Sequence, residues 1–330
     1  MSEAKRVFDL VFEKYEHIYI TDFFIDEKSF SIYYRDGTHK IDVEYNFKMI
    51  VEELISQFRE GIKFEELVKI LPKRTLNFAA YVDSIRLRIH VFLAYGKVTL
   101  VLRLLDKPIM PINGLGYSQM DIKKMITKPT GLILVAGPTG SGKTSTAVSL
   151  IEYYNQNYNK HIVTIEEPVE YILKEKKCII HQRDIGFDCP DFTSAARDTL
   201  KEKVNILFIG EILDYAAANL ALQIVATGQL VLATIHAGNC IETLERFVSF
   251  FDRNQLDLVR KTMAMFLNCI INQRLIYREK EIKLIYEIID ATMETKALLF
   301  SEQPFKMLGD QYIKQRQEHI EDQILKYKKF

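Results

Sequence analysis

Residues 137–144 read Gly137-Pro138-Thr139-Gly140-Ser141-Gly142-Lys143-Thr144 and fit the pattern G-x-x-x-x-G-K-[ST]. That spacing suits a phosphate chain. Glycines 137, 140 and 142 permit backbone angles that turn consecutive amides toward one cluster of oxygens. Lys143 offers a cation for β- and γ-phosphates, and the Thr144 hydroxyl offers a ligand for Mg2+. Pro138, Thr139, Gly140, Ser141, Gly142, Lys143, Thr144 and Ser145 are therefore the candidate nucleotide-binding residues. An apolar run at 132–136 precedes the pattern and a helical segment at 143–157 follows it. The loop would open a helix whose N-terminus adds partial positive charge.

Three further segments end in polar residues that could do chemistry. The run 162–165 ends in Glu166 and Glu167, the run 206–209 in Gly210 and Glu211, and the run 230–235 leads to His236. Ligands of parallel sheets lie outside the carboxyl ends of strands. A carboxylate there can deprotonate and orient water, or hold Mg2+ through its waters. A histidine can donate to a γ-phosphate oxygen and so sense it.

The elements that must position these groups follow from the patterning. Continuous apolar runs alternate with helical segments at 143–157, 193–203 and 215–226, which predicts a parallel sheet covered on both faces. From 241 onward the chain reads as mostly helical, with Leu256, Val259, Met263, Phe266, Leu267, Ile270 and Ile271 as one apolar stripe. The first ~115 residues read as a small α+β module. Residues 2–15 place Ala4, Val7, Leu10 and Val11 on one helical face. Phe30, Ile32 and Tyr34 alternate before Asp36-Gly37, with Ile41, Val43 and Tyr45 after it, which predicts a hairpin. A helix is expected over 46–60 on Phe47, Ile50, Val51, Leu54 and Phe58. A second hairpin is expected from Ile85 to Leu104, turning near Tyr95-Gly96. Pro108, Pro111, Gly114 and Gly116 mark a linker at about 106–117. The expected domains are 1–110 and 111–330.

The chain has 330 residues, 44 Lys+Arg and 44 Asp+Glu. Its 48% hydrophobic content can bury a sizeable core and excludes overall disorder. Zero net charge argues against holding nucleic acid through global positive charge. No segment reaches the ~18 apolar residues that span a bilayer, and the N-terminus does not read as a signal peptide. Cys178, Cys189, Cys240 and Cys269 are scattered without a C-x-x-C pair, as expected of reduced thiols rather than a zinc site.

These segments, in this order, resemble the secretion ATPases of type IV pili and type II secretion. The Walker A box is 137–144. The family's acidic box resembles Thr164-Ile165-Glu166-Glu167-Pro168-Val169-Glu170. Its Walker B resembles Ile206-Leu207-Phe208-Ile209-Gly210-Glu211, and its histidine box resembles 227–236. Gln273-Arg274-Leu275 is similar to a Gln-x-Leu segment of its C-terminal helical region. Arg86-Leu87-Arg88 is similar to an arginine-rich strand of its N-domain, with Arg103 on the next strand. His17 to Asp22 weakly resembles that domain's first strand. Length, one small N-domain and no four-cysteine element favour the pilus retraction, PilT-like branch.

The resemblance implies a RecA-like P-loop motor domain with a smaller N-terminal PAS-like α+β domain. It implies ATP hydrolysis with Mg2+, with Glu211 activating water and Glu166 and Glu170 arranging Mg2+ with Thr144. His236 would sense the γ-phosphate. Arg86, Arg88 and Arg103 would reach phosphate on a neighbouring subunit. It also implies a homohexamer at the cytoplasmic face of the inner membrane, acting on a pilus platform protein, without nucleic acid or direct membrane insertion. Three departures stand out: Leu213 where arginine is usual, Gln229 where histidine is usual, and 200–205 without the usual acidic approach. Alternatives are a pilus extension, competence-pilus or type II secretion motor. More distant are a weakly catalytic nucleotide-binding regulator and a RecA-like nucleic-acid translocase. A GTPase is disfavoured, since no Asn-Lys-x-Asp motif occurs.

Overall fold

The computed structural model describes residues 2–16, 20–34, 37–73, 75–105, 108–278, 281–301, 305, 307 and 323. The chain divides into two units. One comprises Met1–Pro108 with Glu167–Ile172 and Asp184–Asp188, and the other Ile109–Glu166, Leu173–Arg183 and Cys189–Phe330.

The first unit contains α1 (Glu3–Lys14), β1 (Ile20–Ile25), β2 (Phe30–Tyr34), β3 (Gly37–Ile41), α2 (Phe47–Phe58), α3 (Phe64–Ile70), β4 (Leu76–Val82), β5 (Ile85–Ala94) and β6 (Lys97–Leu104). Its six strands run β3-β2-β1-β6-β5-β4, antiparallel throughout. The helix α1 starts where the Ser2 side chain accepts from the Lys5 amide, and it buries Ala4, Val7, Phe8 and Val11. That i, i+3, i+4, i+7 set is one helical face. Leu10, expected on it, points outward at 44% exposure, and Phe8 takes its place beside Phe23 at 4.7 Å. The β5–β6 hairpin turns at Tyr95 and Gly96, both at positive φ (50° and 72°), as a tight hairpin turn requires. His17, Ile18, Tyr19 and Asp36 of the expected first strand and hairpin lie outside the described residues, as do Asp106 and Lys107 of the expected linker.

The second unit contains α4 (Gln119–Ile126), β7 (Gly131–Ala136), α5 (Lys143–Asn157), β8 (His161–Glu166), β9 (Ile179–Asp184), α6 (Phe192–Thr199), β10 (Ile206–Ile209), α7 (Tyr215–Ala226), β11 (Leu230–Ile235), α8 (Cys240–Ser249), α9 (Leu256–Phe266), β12 (Leu267–Arg278), β13 (Glu281–Asp290) and α10 (Met293–Phe300). Its sheet runs β13-β12-β7-β11-β10-β8-β9. The pairs β8–β10, β10–β11, β11–β7 and β7–β12 are parallel. Every residue of β7, β10 and β11 is buried, the signature of a sheet covered on both faces.

The expectation of a mostly helical region after 241 is corrected here. The helix α9 ends at Phe266, and Leu267, Ile270 and Ile271 belong to β12, paired with β7 and β13. A strand buried on both faces carries consecutive apolar residues, which mimic a helical stripe over a short window. The Gln273 segment therefore lies on a strand rather than in a helical region. The helix α6 also stops earlier than 203, at Thr199, whose hydroxyl donates to the Ala195 carbonyl. All four cysteines are buried free thiols. Among the described residues, no helix is long and apolar enough to cross a membrane.

Candidate nucleotide site

The carboxyl end of β7 carries the glycine-rich loop. Gly137 sits at φ +149°, and a Cβ there would strike the Gln273 carbonyl and stand 2.5 Å from Ser141 Oγ. A residue without a side chain is what permits this approach. Gly142 is the N-cap of α5 in the left-handed region, φ 83°, and no side chain caps that helix. That end of the helix faces the loop, where its partial positive charge favours a ligand's oxygens.

Lys143 is buried. Its Nζ donates to the carbonyls of Gly137 and Pro138, both at 3.0 Å, and to His236 Nδ1 at 3.3 Å. Neutral carbonyls thus hold an ammonium that phosphate oxygens would bind more strongly. Ser141 Oγ is buried with no hydrogen-bond partner among the described residues. Thr144 and Ser145 are half-buried beside it, and Pro138, Thr139 and Gly140 are exposed. A crowded glycine cradle, an uncapped helix start and a buried ammonium fit a nucleotide's phosphates.

Strand ends β8, β10 and β11 supply the remaining groups. Glu166 is buried at the end of β8, with Gln182 Nε2 3.4 Å from its Oε1. The β10 end passes close beside it: a Cβ on Gly210 would lie 3.2 Å from Glu166 Cα. Thr234 of β11 donates to the Gly210 carbonyl, and the Ile212 amide donates to the Thr234 carbonyl at 2.8 Å. Those two bonds hold the segment bearing Glu211. His236 Nε2 stands 2.7 Å from Glu211 Oε1. Lys143, His236 and Glu211 therefore form one line of polar contacts. Burial, and then the charge of Lys143, push the His236 pKa below its ordinary value, although Glu211 pulls it up. The partners favour a neutral ring whose Nδ1 lone pair faces Lys143, with Nε2 close to Glu211 Oε1 though not aligned as a hydrogen bond.

The other expected site residues lie in the first unit. Arg86 Nη1 donates to the Glu170 carbonyl at 3.0 Å. Arg88 donates to Asn77 Oδ1 at 3.2 Å and to the Glu167 carbonyl at 3.3 Å, and it stands 3.7 Å from the Glu170 carboxylate. Arg103 Nε donates to Asp22 Oδ1 at 2.8 Å, directly across from it on β1. Each arginine thus already has partners within its own unit.

Two of the unusual positions have structural roles. With its NH2 turned toward acceptors, Gln229 donates to the Ile224 carbonyl at 2.8 Å and the Thr227 carbonyl at 3.1 Å. It thereby closes the end of α7, whose last carbonyls lack helical partners. Asn205 Oδ1 accepts from the His161 amide at 2.9 Å and ties β8 to β10. Leu213 is 58% exposed, and nothing within the chain explains it.

Sequence reasoning missed the support behind the loop. Gln273, buried on β12, donates from Nε2 to the Ser141 carbonyl at 2.7 Å. Its Oε1 accepts from Tyr117 at 2.5 Å and Thr146 at 2.9 Å. Asn272 donates to the Ala237 carbonyl at 3.0 Å and Arg274 to the Gly238 carbonyl at 3.1 Å. Reading 267–278 as a strand would have placed 272 and 274 on one face and 273 on the other.

Residues 5–314 match the family of type II/IV secretion system proteins. The chain belongs to that family. It is 36% identical over 226 residues to the uncharacterized protein YggR of Escherichia coli (strain K12), covering 68% of each chain. It is 34% identical over 191 residues to the type IV pilus retraction ATPase PilT of Pseudomonas aeruginosa, covering 58% of this chain and 55% of that one. A crystal structure of the pilus retraction motor PilT with bound ADP matches at TM-score 0.80 and 27% identity, covering 95% of this chain and 90% of that one. This type II/IV secretion protein is therefore an ATPase of the PilT-like kind that uses adenine nucleotide, with a RecA-like motor domain and a smaller N-terminal domain.

Proposed function

We propose that the chain is the motor of type IV pilus retraction. It works as a homohexamer at the cytoplasmic face of the inner membrane and acts on a pilus platform protein there. The line Lys143–His236–Glu211 beside the glycine-rich loop carries the enzymatic part of this reading. Likeness to PilT in sequence and fold supports the retraction part.

In this reading the phosphates of ATP displace the Gly137 and Pro138 carbonyls from Lys143. The amides of 140–145 and the N-terminus of α5 surround the β-phosphate. The Glu211 carboxylate orients a water against the γ-phosphorus and takes its proton as the bond to the bridging oxygen breaks, leaving ADP and phosphate. His236 Nε2–H, beside Glu211, donates to a γ-phosphate oxygen. Thr144 and Glu166 are the residues that would hold Mg2+, which would neutralise phosphate charge. Arg86, Arg88 and Arg103 would act on the nucleotide of a neighbouring copy, as cations matched to charge developing on phosphate.

The test has two arms. Purified wild type should hydrolyse ATP, and Glu211→Gln should lose at least about a hundredfold in kcat, the scale of a general base. Equal, near-background rates would sink the enzymatic reading. In the producing organism, deletion of the gene should leave surface pili that no longer pull tethered beads. A strain without pili would make the chain an assembly motor instead.

A further inference from the structure

Three consecutive residues of β12 hold two different loops of the site from opposite faces of one strand. Gln273 reaches the glycine-rich loop: its Nε2 donates to the Ser141 carbonyl at 2.7 Å, and its own main-chain carbonyl abuts Gly137. Its Oε1 is fixed by the Tyr117 and Thr146 hydroxyls, which also stand 3.1 Å from each other. The carboxamide therefore has little freedom to turn. Asn272 and Arg274, one residue either side, point to the other face. They donate to the Ala237 and Gly238 carbonyls, the two residues that follow His236.

The far side of that second loop is tied as well. The Gly238 amide donates to Glu242 at 2.7 Å, and the Cys240 amide donates to Glu287 of β13 at 2.5 Å. Asn272 and Glu287 are register partners across β12 and β13. β12 itself is paired to β7, with Asn272 opposite Ala136, the residue before Gly137. One strand thus meets the start of the glycine-rich loop, its middle, and the loop after the histidine.

We propose that β12 is the spacer that sets the separation between the phosphate loop and His236. Gln273 positions the first, and Asn272 with Arg274 positions the second. None of the three needs to touch nucleotide; each acts through backbone carbonyls. His236 is useful only if it spans Lys143 and Glu211, and a shift of about 1 Å in either loop is enough to spoil such geometry. The proposal rests on the roles given above to the glycine-rich loop and His236.

The two faces predict opposite kinetic signatures. Gln273→Met, which keeps the volume and removes all three side-chain hydrogen bonds, should weaken ADP binding at least about tenfold. Asn272→Ala should lower kcat about tenfold with ADP affinity within about twofold. It should also move the acid limb of the kcat–pH profile to higher pH, because an imidazole displaced from Lys143 loses a cause of its depression. A loss of packing alone would not move that limb. If Asn272→Ala does not fold, the half-buried Arg274→Met carries the same arm, and Arg274→Lys, which keeps a donor for the Gly238 carbonyl, should recover most of its loss. Lys143→Ala is measured alongside. If it still binds ADP, the loop reading itself fails. If it does not, and the β12 variants either match wild type or lose kcat and affinity together without a change in pH profile, the spacer is refuted.

Discussion

Alanine at the two ends of β7 separates folding from nucleotide binding. Gly131, at the start of the strand, has φ +109°, and a Cβ there would stand 2.5 Å from the Phe266 carbonyl and 2.6 Å from Asn268 Oδ1. Gly137, just past its end, is equally crowded at φ +149°. Holding an alanine in such a conformation costs about 1–3 kcal/mol. Displacing well-packed neighbours costs about 1–3 kcal/mol more. Each variant should therefore lose about 4 kcal/mol, lowering Tm by roughly 10 °C in a domain of this size. The consequences for ligand differ. Relieving a 2.5 Å contact takes about 1 Å of movement, and at Gly137 the part that moves is the phosphate loop. A misplacement of that size costs about a hundredfold, so ADP should bind Gly137→Ala about a hundred times more weakly. Gly131 lies about 20 Å away along the strand, at ~3.3 Å per residue, and ADP affinity of Gly131→Ala should stay within about twofold. Calorimetric ADP titration at 15 °C, well below both transitions, makes the comparison, with scanning calorimetry for Tm. Equal weakening in both variants would refute the reasoning, as would an unshifted Tm for Gly137→Ala.

Other outcomes follow from titrating and buried polar groups. The folded His236 pKa is depressed, by burial first, so the neutral ring's contribution to stability is present above the unfolded value near 6.5 and is lost as pH falls through the lower folded value. Glu211→Gln removes the carboxylate that opposes the depression, so the ring's NMR titration should move to lower pH still; movement upward would contradict the geometry. Burial raises Asp184 to about 6, against the hydrogen bond it accepts from the Val169 amide. The stability of its protonated form is present below the unfolded value of 3.8 and is lost as pH rises through about 6. Asp184→Asn should therefore raise Tm at pH 8, by up to about 3 kcal/mol of stability, and barely alter it at pH 4. Asn155, fully buried, donates to Glu152 and the Lys174 carbonyl and accepts from the Lys176 amide. Asn155→Ala would take those bonds from the Lys174 carbonyl and the Lys176 amide, while Glu152 keeps Gln156 and Lys176, and should cost about 2–4 kcal/mol, read by urea unfolding.

The glycine-rich loop was legible because its chemistry is local: glycine spacing, a lysine and a hydroxyl, between an apolar run and a helix. Glu166, Glu211 and His236 were legible for a related reason. Each ends an apolar run, and parallel sheets gather such ends. The β12–β13 pair was not, because apolar residues at 267, 270 and 271, spaced i, i+3, i+4, extend the helical stripe of α9. The period-2 set Ile282, Leu284, Tyr286 and Ile288, with Lys283 and Glu287 between, was the overlooked signal. Gln273 was noticed for its resemblance to a family segment, yet its work depends on Tyr117, 156 residues away in sequence. No local pattern can display a contact that only the folded sheet creates. Leu10 failed differently: it fits the apolar face of α1 within helical tolerance, but Phe8 fills more volume against Phe23.

The β12–β13 pair offers an optical use. Asn272 is the last residue of β12 opposite β7, so the strand runs on past the phosphate loop. Tyr277, four residues beyond Gln273, is 51% exposed. At ~3.3 Å per residue it stands about 13 Å from the carboxamide that grips the loop. A small environment-sensitive dye attached there through an engineered cysteine would ride on the same strand without occupying the phosphate pocket. The four natural thiols are all buried, so labelling would favour the new one. Filling and emptying of a site could then be followed as a change of colour, turnover by turnover, in a single molecule.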